Sequence, residues 1–183
     1  MSASDPYTLP RGLPVPADDG AADHLAGAIL PDLVLSSSQG AVNVRDFDVL
    51  YVYPRSGRPG RPMLPGWDDI PGARGCTPQS CAFRDHSAEL AALGATVAGL
   101  STQGLEDQVE FAERNRMPFP IVSDEWLELG RDPGLPTFEV EGLTLYKRLA
   151  LISEHGRIVK VFYPVFPPDR NAQDVVDWLG RNR

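Results

Sequence analysis

The chain's only two cysteines fall in one stretch, "PGARGCTPQSCAFRD" over residues 71–85. Cys76 follows a glycine-rich loop, and Cys81 comes five positions later among helix-forming residues. Pro78 sets the phase of that helix, because proline is tolerated in a first turn and costly further in. Cys76 is therefore expected at the helix start, where unsatisfied N–H groups and a partial positive charge favour a thiolate nucleophile. Cys81, beside Ala82 and Phe83, is expected inside the helix as a shielded, ordinary thiol. Taken alone, Cys81 reads equally well as a small buried apolar side chain.

Spacing constrains what the pair can do together. Five helical residues rise about 7.5 Å and turn through roughly 140°, which separates the two Cα atoms by about 8.6 Å. A disulfide rarely tolerates more than ~7 Å, so joining Cys76 to Cys81 requires the first turns to unwind. That suits a pair that cycles between reduced and oxidised states better than a structural staple. A metal site would need further ligands from His24, His86 and His155, and His86 lies too far along the helix to chelate with both thiols. No metal and no other cofactor is expected.

The elements that must position this helix follow from patterning. "PDLVLSSSQGAVNV" (31–44) predicts two short strands about a turn at Gln39-Gly40, and "DVLYVYP" (48–54) a buried central strand stopped by Pro54. The loop 55–75 holds four prolines and five glycines, a length that inside a compact domain is usually functional or disordered. A helix is expected from Thr77 to a C-cap at Gly94, a strand at 96–100, and a second helix over 101–116. "MPFPIVSD" (117–124) predicts a short edge-type strand, and "EWLELG" (125–130) one or two helical turns. The segments 143–153 and 157–164 flank "EHG" as a β-hairpin, and 169–182 forms an amphipathic terminal helix. This order gives an α/β sandwich with a central mixed sheet flanked by helices. Residues 1–24, poor in large apolar side chains, are expected to be a loosely ordered extension to a domain over 25–183.

Bulk properties narrow the partners. The chain has 183 residues, a net charge of −8 and 42% hydrophobic residues, which suits one soluble domain. The acidic balance argues against nucleic acid or an anionic membrane surface as partner. No apolar run reaches membrane-span length, and the first residues lack a secretory pattern, so the expected setting is the cytoplasm. There, paired cysteines are more often catalytic, redox-sensing or metal-binding than structural.

"GCTPQSCAFRD" resembles the active-site helix of the peroxiredoxins, most closely the Q-type (bacterioferritin-comigratory) branch. That pattern runs Tyr-Pro-Lys, a short loop, Thr-Pro-Gly-Cys-Thr, a second Cys five residues on, then Phe/Leu-Arg-Asp. "LYVYPR" (50–55), "LSTQGLEDQVEFAERNRMPFPIVSD" (100–124) and "RLALISEHGRIVKVF" (148–162) resemble further family blocks in the same order, so the likeness spans roughly 30–181. It implies a thioredoxin-like fold and a thiol peroxidase acting on hydrogen peroxide or organic hydroperoxides. Cys76 would be the peroxidatic thiolate and Cys81 the resolving thiol of an intramolecular disulfide. Arg148, from a strand facing the helix start, would hold the thiolate and polarise the peroxide. Pro54 would shield the thiolate from water. A thioredoxin-like dithiol would regenerate the enzyme, as a monomer or dimer.

Two departures stand out. Where the family has a peroxide-binding Thr or Ser three residues before the cysteine, this chain has Ala73, with Thr77, Ser56 and Arg74 as candidate replacements. The loop 55–75 is about fifteen residues longer than the family form. Gln79 sits where the family often has Glu or Gln, and reads equally as a solvated first-turn residue. The competing functions are a redox sensor switched by a Cys76–Cys81 disulfide and a thiol–disulfide oxidoreductase. The absence of Cys-x-x-Cys counts against the oxidoreductase.

Overall fold

The computed structural model describes residues 5–183. Its main sheet has seven strands in the order β2-β1-β5-β4-β3-β8-β9. These are β1 (Val34–Ser37), β2 (Gly40–Asn43), β3 (Val49–Val52), β4 (Val97–Ser101), β5 (Ile121–Ser123), β8 (Leu149–Glu154) and β9 (Arg157–Phe162). A separate pair, β6 (Thr137–Val140) and β7 (Leu143–Tyr146), forms a small antiparallel sheet. The helices are α1 (Cys76–Asp85), α2 (Ser87–Ala92), α3 (Leu105–Asn115), α4 (Glu128–Arg131) and α5 (Asn171–Asn182). Strands β3, β4 and β5 run parallel, and β8 pairs antiparallel to β3, so the sheet is mixed as expected.

The alternation of the central strand sorts the core into two layers. Val49 and Tyr51 of β3 face a cluster with Phe83 of α1, Leu90 of α2, Phe111 of α3 and Val175 of α5. Leu50 and Val52 face the opposite side, against Leu25, Leu30, Leu129 and Tyr146. A strand buried at every position, as β3 is, belongs at the centre of such a sandwich. Close approach is built in where β3 meets β4. A Cβ on Gly99 would fall 2.5 Å from the Tyr51 ring, so only glycine lets that ring lie flat across the neighbouring strand.

Four expectations are corrected. The helix predicted from Thr77 to Gly94 breaks at His86, whose φ of −92° and ψ of 6° leave the helical region. The second helix begins at Leu105 because Ser101 still belongs to β4 and the intervening residues form a polar turn. Strand β5 is interior, lying between β1 and β4; its prolines precede Ile121, so the ladder loses no donor. Finally, the predicted arm 143–153 divides after Tyr146, and Lys147 and Arg148 carry the chain from the small sheet to the main one. Arg148 thus comes from a crossover, not from within a strand.

Residues 1–4 of the expected extension lie outside the described residues. The remainder, up to residue 24, has turns and irregular backbone without helix or strand and is fastened at several points. Asp19 accepts bonds from Lys147 (2.6 Å) and Tyr163 (2.7 Å), and the Arg74 guanidinium donates to the carbonyls of Asp5 (2.6 Å) and Thr8 (3.1 Å). In the long loop, Trp67 and Ala73 pack with Leu145 of β7 as a third small core. Among the described residues, no helix is long and apolar enough to cross a membrane.

Candidate active site

Gly75 makes the entry into α1 possible. Its φ is +110°, and a Cβ there would fall 2.6 Å from Pro168 and 2.9 Å from Leu9, so any side chain would meet both strain and collision. The residue after it, Cys76, is the first of α1 and is 3% exposed. Its Sγ lies 3.6 Å from the Ala73 carbonyl oxygen, within reach for the thiol to donate.

Over that sulfur lies Arg148, also 3% exposed. Its Nη2 sits 3.2 Å from Cys76 Sγ and donates to the carbonyls of Ala73 (2.9 Å) and Arg74 (3.3 Å). Nε donates to the Gly72 carbonyl at 3.3 Å, and Nη1 to Gln79 Oε1 at 2.5 Å. Gln79, fully buried and not solvated, is itself held by donating to Asn171 Oδ1 (2.9 Å) at the start of α5. The guanidinium is thus fixed in one orientation by neutral acceptors, and among the described residues no carboxylate pairs with it. A buried cation surrounded only by dipoles is best matched by an anion, and the one group in contact that can become an anion is the Cys76 sulfur.

The floor beneath is aromatic and uncharged. Tyr51 stacks on Phe83 with centroids 4.3 Å apart, and Tyr53 donates to Gln108 Oε1 at 3.0 Å. Burial pushes both phenols far above their ordinary range, with the neighbouring thiols adding to the shift, so both stay protonated at neutral pH.

A cleft of about 20 Å³, room for a water-sized guest, reaches Cys76. Of the three candidates for the hydroxyl missing at Ala73, one remains uncommitted. Ser56 is occupied with Gln103 Oε1, through its N–H at 2.8 Å and its hydroxyl at 3.1 Å. Arg74 is tied to Asp68 (3.0 Å) and to the carbonyls of Asp5 and Thr8. Thr77 lines the cleft, is 2% exposed, and its Oγ1 has no hydrogen-bond partner among the described residues. Pro54 is buried just past β3, one residue before Arg55, which lines the same cleft.

Cys81 sits in a different environment. It is half-buried, with Sγ 3.8 Å from Asn115 Oδ1 at the end of α3. Burial pushes its thiol above the ordinary value of 9.0, which Arg84 and Arg114 offset only in part. Both cysteines are free thiols on one intact helix.

The structure therefore brings Cys76, Arg148 and Gln79 together and holds Cys81 apart. Sequence reasoning missed Asn171 and the packing of Ala73 against Trp67. Nothing local marks Asn171, which reaches the site only through the fold. The apolar surroundings of Ala73 depend on how the loop 55–75 packs against Leu145, which no local pattern shows.

The redoxin family profile matches residues 26–177. Among curated proteins, the chain is 26% identical over 158 residues to the chloroplastic peroxiredoxin Q of Gentiana triflora, covering 84% of this chain and 65% of that one. It is 27% identical to the corresponding protein of Sedum lineare, covering 84% and 76%. The chain thus spans 65% and 76% of the length of these two relatives. Among solved structures, peroxidoxin BcpB of Mycobacterium tuberculosis superposes with a TM-score of 0.69 at 24% identity, covering 86% of this chain and 97% of that one. Peroxiredoxin Q of Xanthomonas campestris gives 0.67 at 22%, covering 86% and 100%. These two likenesses carry the fold.

Proposed function

Because the chain belongs to the redoxin family, we propose that it is a thiol-dependent peroxidase reducing hydrogen peroxide or organic hydroperoxides, with Cys76 as the attacking sulfur. The observation that carries the reading is the buried Arg148 guanidinium 3.2 Å from Cys76 Sγ with no carboxylate among the described residues to neutralise it. That charge stabilises the thiolate and the negative charge that develops on the departing oxygen. In the first step the thiolate sulfur bonds to the distal peroxide oxygen and the O–O bond breaks. The leaving oxygen takes a proton to become water or an alcohol, and the sulfur becomes a sulfenic acid. Thr77 Oγ1 donates to the bound peroxide in place of the hydroxyl absent at Ala73. Pro54 limits the access of water.

In the second step the Cys81 sulfur displaces hydroxide from the sulfenic sulfur, forming a disulfide and, with one proton, water. Since α1 holds the two Cα atoms about 8.6 Å apart, this follows unwinding of its first turns. A thioredoxin-like dithiol then returns two electrons and two protons, in a reducing compartment such as the cytoplasm.

The test is NADPH oxidation coupled through thioredoxin and its reductase. Addition of hydrogen peroxide is expected to start consumption in proportion to enzyme, and Cys76→Ser to abolish it. Reduction of insulin disulfides without peroxide turnover would replace this reading with a thiol–disulfide oxidoreductase.

A further inference from the structure

Loop 55–75 carries four arginines, Arg55, Arg58, Arg61 and Arg74, in a chain whose net charge is −8. All four line the cleft that reaches Cys76 and Thr77. A wider recess of about 200 Å³ adjoins it, and Arg55, Arg58 and Arg61 line both. Arg58 is committed to Asp107 at 2.8 Å and Glu110 at 3.5 Å, and Arg74 to Asp68 at 3.0 Å. The Arg55 and Arg61 side chains have no hydrogen bond or ion pair among the described residues. The two carboxylates lining the recess, Asp107 and Glu110, are both taken, Glu110 by Arg114 as well at 2.7 Å.

The entrance to the thiol therefore presents two uncommitted guanidinium groups and no uncommitted carboxylate. Deeper in, the Thr77 hydroxyl is a further polar group without a hydrogen-bond partner among the described residues. The inner cleft has room for about one water-sized group, whereas the adjoining recess is about ten times larger. Guanidinium groups match carboxylates in shape as well as charge, through paired N–H donors.

Building on the peroxidase reading, we propose that this site takes a short organic hydroperoxide bearing a carboxylate. Its hydroperoxyl end enters beside Cys76, Arg148 and Thr77, and its carboxylate is gripped by Arg55 and Arg61. The chemistry is that of the first step: Cys76 sulfur takes the distal oxygen, and the alcohol leaves with its carboxylate unchanged. The long insertion then acts as a specificity loop that brings positive charge to an acidic protein's active site.

The experiment compares γ-hydroperoxyisocaproate with its methyl ester, which differ only in the charge at one end, with hydrogen peroxide measured alongside. In the wild type, kcat/KM for the acid is expected to exceed that for the ester about five- to tenfold, and the ratio to shrink as salt is raised. In the double variant Arg55→Gln/Arg61→Gln the ratio is expected to fall to about one. The ratio is internal to each protein, so a general loss of activity does not mimic the result. Lys160→Gln removes a charge from β9, where the ammonium stands over Phe162, and is expected to keep the ratio. A wild-type ratio near one with hydrogen peroxide turned over, or a ratio that survives the double variant, would overturn the proposal and leave the peroxidase reading standing. Turnover of none of the three peroxides would overturn both.

Discussion

Cys76 opens α1 in direct contact with a fixed guanidinium. Cys81, on the same helix, instead rests half-buried with the neutral Asn115 amide as its hydrogen-bond partner and the opposed charges of Arg84, Arg114 and Asp85 around it. The first thiol has a rigid charged shell relayed through Gln79 to Asn171 on a distant helix. The second has a single long contact, and burial disfavours its ionisation. On the proposed reading, one helix holds a thiol prepared for attack and a thiol kept quiet until the helix opens. Position along α1 produces that difference, because only the first turn offers free N–H groups and faces the crossover that delivers Arg148.

Removing the charge should break the contrast most severely. Arg148→Met is expected to lower kcat/KM for hydrogen peroxide about a hundredfold, with Arg148→Lys recovering part of the loss because the charge returns without the fork. Equal rates for Met and wild type in stopped-flow peroxide consumption would mean that the guanidinium positions nothing. A smaller loss, about tenfold, is expected for Thr77→Val, which keeps the shape and removes the unpartnered hydroxyl. Restoring the family residue should not compensate. Ala73 packs with Trp67 and Leu145, so Ala73→Thr is expected to cost about 1–2 kcal/mol in urea unfolding without raising the rate.

The smallest effect sharpens the other side of the comparison. Burial raises the Cys81 thiol above 9.0 in the wound helix, and unwinding returns it to its ordinary value. Below that value both states hold the proton, and the thiol contributes no pH dependence. As pH climbs past about 9 the unwound or unfolded state loses its proton first, so the folded state is destabilised. The thermal midpoint of the reduced protein is therefore expected to fall more steeply between about pH 8.5 and 10 than that of Cys81→Ser. Parallel slopes would show that burial at Cys81 is immaterial.

Much of this contrast was legible in the sequence. Pro78 and the five-residue spacing were enough to place one thiol at a helix start and the other inside it, because local sterics decide both. Most strands followed from alternation and β-branching, but the local pattern gives no strand at Thr137–Val140 and a single arm over 143–153. Other features depended on long-range packing. The break at His86 and the interior place of β5 are set by neighbours that the local pattern does not name. Arg148 was identified from family resemblance, yet its place in a crossover between two sheets, and the buried state of Gln79, needed the assembled fold. The commitments of the loop arginines were equally invisible, since salt partners such as Asp107 and Glu110 lie some fifty residues away along the chain.

The most direct test of the prepared and quiet thiols is intact mass after one equivalent of hydrogen peroxide, run on reduced wild type, Cys76→Ser and Cys81→Ser. The account predicts loss of two hydrogens in the wild type, gain of one oxygen in Cys81→Ser, and no change in Cys76→Ser. An oxygen adduct on Cys76→Ser with Cys81→Ser unchanged would reverse the two roles and contradict the account.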